Sequence, residues 1–286
     1  QGRTFAIKFV AAAVSDSTEA HQRFEQETRA LGQLSHPRIV NAVDAGLCGG
    51  LRYLVTELID GDDFQRLVTR SGPVSFPHAC RLISAAAEGL AYAHHHGFVH
   101  RDIKPSNLIV DRAGVVTILD FGLVREAGEA SELTSDHAVL GTWDYIAPEQ
   151  AEDATAADAR SDLYSLGGTL LFLLSGEPPF SGAKYRQGAA KLKGHLLKTP
   201  AWLESPPTDV PKELVEVVAR MMAKSPEERF ASADEVVAAL APFIPSTPMV
   251  RSALPPIPRP TRAGRWKLVA SASVLTGLGL SLWFYP

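Results

Sequence analysis

Asp102, Lys104, Asn107 and Asp120 fall within about twenty residues of one another. Together they are the side chains needed to move a phosphoryl group from Mg-ATP to a hydroxyl. That reaction takes little covalent help and much positioning and charge neutralisation. Asp102 would accept or orient the hydroxyl proton. Lys104 would neutralise charge on the migrating group. Asn107 and Asp120 would hold magnesium, which prefers hard oxygen donors in near-octahedral geometry. Any one of the four, taken singly, reads as an ordinary cap or turn residue. Their joint spacing is what suggests chemistry.

The runs containing them, His100-Arg101-Asp102-Ile103-Lys104-Pro105-Ser106-Asn107 and Asp120-Phe121-Gly122, resemble the catalytic and metal-binding loops of the eukaryotic-like (Hanks-type) protein kinases. The resemblance is an ordered series. Ala6-Ile7-Lys8 looks like the end of the lysine-bearing strand. Glu27 follows where the family places its helix glutamate, and Ala147-Pro148-Glu149 comes after the loops. The similarity covers roughly residues 1–241. Lys104, two residues after Asp102, and Gly141-Thr142 before Tyr145-Ile146-Ala147-Pro148-Glu149 favour the Ser/Thr branch. The stretch from Gly141 to Gln150 is similar to that of bacterial receptor-like kinases.

The resemblance implies a role for each matching position. Lys8 would contact the α- and β-phosphates of ATP and pair with Glu27. Ala6 and Ile109 would sandwich the adenine, and the backbone of Glu57 and Leu58 would hydrogen-bond to it, with Thr56 at the gatekeeper position. Arg101 would pair with a phosphate on the activation loop, carried by Thr134 or Ser135. Thr142 belongs to the substrate-docking loop. Glu149 would form a buried pair with Arg229, and Asp162 would hold the catalytic-loop backbone. ATP and Mg2+ are the implied cofactors and protein substrates the implied partners; a homodimer through the kinase domain is also admitted.

The surrounding sequence contains elements able to position these groups. Residues 4–10 alternate like a strand that delivers Lys8. Residues 17–34 show helical periodicity and are stopped by Pro37. Residues 40–43 and 53–58 read as strands around Gly49-Gly50, and residues 108–110 and 115–119 as strands flanking a turn at 111–114. Residues 77–96 form a strongly amphipathic pattern with Leu82, Ile83, Ala86, Leu90 and Ala93 on one face. Helices are predicted over 161–175, 211–223 and 232–240. The predicted fold is α+β and two-lobed, with a small, partial β-rich N-lobe, a mostly helical C-lobe and a C-terminal transmembrane helix.

His94-His95-His96 superficially suggests a metal site. Adjacent helical residues point to different faces, so the three cannot converge on one ion. The expectation is a polar helix end, with His100 a packed structural histidine.

Composition bounds the remainder. The 286 residues are 45% hydrophobic and 21% charged, with net charge −4, so nothing marks a nucleic-acid surface. Two cysteines, Cys48 and Cys80, make no disulfide framework and fit a reducing compartment. After residue 241 prolines break all periodicity, and Arg251, Arg259, Arg262, Arg265 and Lys267 occur without an acidic residue. Residues 268–285 then run 18 residues without a charge. As a helix they would span about 27 Å against a bilayer core of about 30 Å. The basic side would stay inside, placing the kinase domain in the cytoplasm of a single-pass membrane protein. The expected organisation is a partial N-lobe over 1–59, a C-lobe over 60–241, a basic Pro-rich linker over 242–267 and the membrane helix over 268–285.

The chain opens at Gln1 inside a strand-like run, with no glycine-rich phosphate loop before it. The expectation is an N-terminally truncated kinase with an open strand edge and weakened ATP positioning. The alternative is a pseudokinase acting as a scaffold.

Overall fold

A computed structural model describes residues 4–10, 32, 34–48, 51–119, 143–245, 267–271 and 281–285. The helix expected over 17–34 lies outside them apart from residues 32 and 34; Leu34 is buried in the core.

The smaller lobe is built on antiparallel pairing. Strand β1 (Phe5–Val10) lies against β3 (Leu51–Glu57) in continuous register from Phe5↔Glu57 to Val10↔Arg52. Strand β2 (Ala42–Cys48) flanks β3 on its other side, with an irregularity between Ala42 and Asp44. This strand begins later and runs further than its sequence suggests. Asp44, Ala45 and Gly46 are poor strand formers, and pairing with β3 supplies what their propensity lacks.

A second sheet sits at the junction of the lobes. It joins β4 (Gly61–Asp63), β5 (Leu108–Asp111) and β6 (Val116–Ile118) in the order β4-β5-β6. The Asp111 carboxylate accepts the N–H groups of Ala113 and Val115, both at 2.8 Å, and Gly114 takes φ 83° to close the β5–β6 turn. The chain at residues 38–40 is bonded to β6: Val40 N donates to Ile118 O at 2.9 Å and Ile118 N to Arg38 O at 2.8 Å.

The larger lobe is helical. Helix α1 (Phe64–Ser71) starts at Asp63, whose carboxylate caps Arg66 N at 2.7 Å, and ends at Gly72. Helix α2 (Phe76–His95) buries Leu82, Ile83, Ala86, Leu90 and Ala93, the stripe its periodicity predicts. After the short α3 (Pro148–Glu152), helix α4 (Ala159–Ser175) opens with a capping box between Asp158 and Ser161. It is buried all round, from Leu163 to Leu174, as befits a helix at the centre of its lobe. Helices α5 (Gly188–Leu197), α6 (Ala201–Glu204), α7 (Lys212–Met221) and α8 (Ala233–Leu240) complete the lobe, and one contiguous core joins α2, α4, α7 and α8.

The structure departs from the sequence reading at the C-terminus. At the described ends of the span 268–285, strands β7 (Lys267–Ser271) and β8 (Ser281–Tyr285) stand where helix was expected; they pair with each other, and β8 pairs with β1 at Ile7↔Leu282 and Lys8↔Ser281, while residues 272–280 lie outside the described residues. The five-stranded order is β2-β3-β1-β8-β7. The edge of β1 expected to be open is therefore covered at these positions. The physical reason is that an unpaired edge offers a row of free backbone donors and acceptors, and a chain rich in Val, Leu and aromatic residues readily supplies a partner strand. No helix among the described residues is long and apolar enough to cross a membrane.

Candidate active site

The loop between α2 and β5 brings three of the four chemically suggestive residues together. Lys104 Nζ lies 2.7 Å from Asp102 Oδ2. A 3-10 turn over Pro105–Asn107, closed by Asn107 N donating to Lys104 O at 3.0 Å, folds Asn107 back onto the aspartate. Its Nδ2 donates to Asp102 O at 2.8 Å and to Asp102 Oδ2 at 3.0 Å. Both amide hydrogens thus face Asp102, and Oδ1 is turned the other way, a hard oxygen of the kind magnesium takes. Asp102 and Lys104 remain about a quarter exposed, open to an incoming hydroxyl.

This loop is tied to the strand that leads to Asp120. His100, wholly buried, accepts Asp102 N on Nδ1 at 3.2 Å, so Nε2 carries the hydrogen and donates to Leu119 O at 2.7 Å. Leu119 N donates to Asn107 O at 2.8 Å. Leu119 is therefore bonded on both sides to the loop that carries Asp102 and Asn107. Asp120 itself lies outside the described residues, as do Glu27, Thr134, Ser135 and Thr142.

The loop's backbone is strained and specifically held. Arg101 has φ 66°, the only positive φ at a non-glycine position among the described residues. That conformation costs an L-residue about 1–2 kcal/mol. Asp162, buried at the start of α4, offsets the cost by accepting Arg101 N on Oδ1 at 2.8 Å and His100 N on Oδ2 at 2.8 Å. A third donor is His94, whose Nε2 lies 2.8 Å from Asp162 Oδ2. This corrects the reading of the histidine run as a polar helix end: His95 and His96 are exposed, but His94 faces inward. The available signal was its position four residues after Leu90, on the apolar face of α2.

Ala6, Lys8, Thr56, Glu57 and Ile109 line an open cleft between the lobes, together with Val40, Leu54 and Leu119. Apolar side chains dominate, which suits a flat aromatic base, and Lys8 supplies a cation to the lining. Ile59, one residue past Leu58, lines the cleft as well.

Glu149 and Arg229 form a two-pronged pair, with both Nη–Oε distances 2.7 Å. The guanidinium has no exposed surface and uses all five hydrogens: Nε to Ala223 O, and the two Nη groups to Glu149, Arg160 O and Lys224 O. Burial pushes the Glu149 carboxyl up, but hydrogen bonds from Arg229 and Ser161 outweigh it and hold the group below its usual range. The adjacent Gln150 Nε2 donates to Arg101 O at 3.1 Å, which docks α3 against the loop that carries Asp102.

Similarity to known proteins follows the same outline. The "Serine/threonine-protein kinase PknB" of Mycolicibacterium smegmatis is 36% identical over 243 residues, 83% of this chain and 38% of that protein. The "Probable serine/threonine-protein kinase PknB" of Lactococcus lactis is 33% identical over 235 residues, 82% of this chain and 37% of that protein. The chain thus spans well under half the length of these curated relatives. Among solved structures, Rad53 1-466 in complex with AMP-PNP superimposes with a TM-score of 0.65 at 27% identity, covering 85% of this chain and 59% of that one. The family model for the protein kinase domain matches residues 1–240, the span that holds the interlobe cleft, the strained loop and the Glu149–Arg229 pair. This chain belongs to the protein kinase family.

Proposed function

We propose that the chain is the catalytic domain of an ATP-dependent serine/threonine protein kinase, transferring the γ-phosphoryl of Mg-ATP to Ser or Thr hydroxyls of proteins. The observation that carries the reading is the assembly of Asp102, Lys104 and Asn107 within hydrogen-bonding distance on a loop anchored from the protein interior. Asp102 orients the acceptor hydroxyl and takes its proton. Lys104, already beside that carboxylate, faces the charge that builds on the transferred group. Lys8 holds the nucleotide in the cleft, and Asn107 with Asp120 would hold the metal. Bound Mg-ATP supplies the electrophilic phosphorus and neutralises its own leaving group. This intact set favours turnover over a scaffold role. Arg101 would meet a phosphorylated Thr134 or Ser135.

The test is transfer of label from γ-labelled ATP to a generic protein substrate by the full-length protein, read by phosphoamino-acid analysis. Phosphoserine or phosphothreonine should form, with Lys8→Met at least about 100-fold slower. Wild-type transfer no faster than that variant, in a folded protein, sinks the reading.

We further propose that residues 268–285 anchor the protein in a bilayer with the kinase domain cytoplasmic. Support comes from the 18-residue uncharged run and its basic flank. A helix satisfies every backbone group within the segment, as hydrocarbon demands, whereas in water the same segment can pair with β1. Release of the full-length protein by high-salt washing of membranes contradicts the anchor.

A further inference from the structure

The Trp143–Asp144 segment is gripped by one face of α5. At the first turn, a side chain added at Gly188 would lie 3.5 Å from the Trp143 indole, so the ring passes directly over the start of the helix. One turn on, Lys191 Nζ lies 2.5 Å from Asp144 Oδ1, with 12% and 14% of the two side chains exposed. One turn further, the buried His195 lies with Nε2 3.1 Å from Asp144 O. Positions 188, 191 and 195 share one helical face.

The histidine is fixed in turn from behind. Its Nδ1 lies 2.9 Å from Tyr164 OH on α4, and Lys224 Nζ donates to His195 O at 2.7 Å and to Tyr164 OH at 3.3 Å. Nε2 donating to the Asp144 carbonyl makes Nδ1 the acceptor of the tyrosine hydrogen. Of α5 only Gly194 and His195 are buried, both against the buried Phe180, and Leu197 is two-thirds exposed. The helix is thus held through that ring and through the network that holds the loop.

The gripped segment leads straight into α3, where Gln150 bonds to Arg101 O, one residue from Asp102. The segment is thus tied through α3 to the loop that carries Asp102, to which a protein hydroxyl must be brought. We propose that α5 is a latch whose Lys191 and His195 fix the Trp143–Asp144 backbone, making Lys191 a positioning residue for the protein substrate and not for ATP. This rests on the kinase reading. Burial raises the Asp144 carboxyl and the Lys191 ammonium works against that shift, so losing the lysine leaves Asp144 without its counter-charge.

The experiment compares full-length wild type, Lys191→Met and Lys191→Arg by steady-state kinetics and by amide hydrogen exchange of residues 143–147. In Lys191→Met the KM for a protein substrate should rise about tenfold while the KM for ATP stays within about twofold, and exchange at 143–147 should speed up. Lys191→Arg should recover most of both effects. Unchanged substrate KM and unchanged exchange overturn the latch, as does a parallel loss in ATP KM and kcat, which means general loosening. If wild type transfers no phosphoryl group, the kinase reading fails separately. Exchange alone then decides whether Lys191 holds the segment. If Lys191→Met does not fold, with the amides of α4 unprotected, Lys191→Gln takes its place under the same criteria.

Discussion

Asp162 accepts the backbone N–H of Arg101 at 2.8 Å from 61 residues along the chain, and Arg101 carries the one left-handed non-glycine backbone among the described residues. The carboxylate compensates locally for strain placed beside Asp102, the proposed general base. Replacing Asp162 with Ala strands three donors, His94 Nε2, His100 N and Arg101 N. A destabilisation of about 3 kcal/mol or more should follow. Urea unfolding measures it, and a loss under 1 kcal/mol would show that the loop holds its shape without the anchor.

Asp102→Asn should leave that fold intact and lower phosphotransfer by a factor of about 100 to 10,000, because an amide cannot take the hydroxyl proton. Single-turnover rates alongside thermal melting separate chemistry from folding. Activity within tenfold of wild type would remove Asp102 from its role.

Arg229→Met keeps much of the stem's volume and removes all five donated hydrogen bonds. Glu149 is then left partly buried and charged without its partner. The expected cost is about 3–5 kcal/mol, seen as a lower urea midpoint. A cost near zero would mean that α3 is held by other contacts.

His195 should make stability fall in mild acid. Burial first, and then the Lys224 charge, lower its pKa to about 3, against an ordinary value of 6.5. The unfolded chain therefore takes up a proton below pH 6.5 that the folded chain refuses until about pH 3. Stability present above pH 6.5 drains away across that window, by about 2 kcal/mol from pH 6.5 to pH 5 at roughly 1.4 kcal/mol per unit. Denaturant unfolding at the two pH values should show a smaller drop for His195→Gln than for wild type. Equal drops in the two proteins would assign the acid sensitivity elsewhere.

Much of this protein is legible without coordinates because the residues proposed to carry its chemistry lie close together in the chain. Asp102, Lys104 and Asn107 sit within six residues, and a single tight turn suffices to bring them together. The apolar stripe of α2 is likewise local, since a 3.6-residue period encodes its buried face directly.

Tertiary structure decided what depends on distant partners. The hold of Asp162 on Arg101 is readable only through the family resemblance, and nothing in the sequence announces that His94 will bond to Asp162, nor does Asp144 reveal Lys191 and His195 of α5 as its grip. Those contacts bridge about fifty to seventy residues, and no periodicity reports them. The C-terminal segment marks the boundary most clearly. Its uncharged composition determines that it avoids water, but whether its backbone bonds to itself as a helix or to the edge of β1 as a strand depends on what surrounds it.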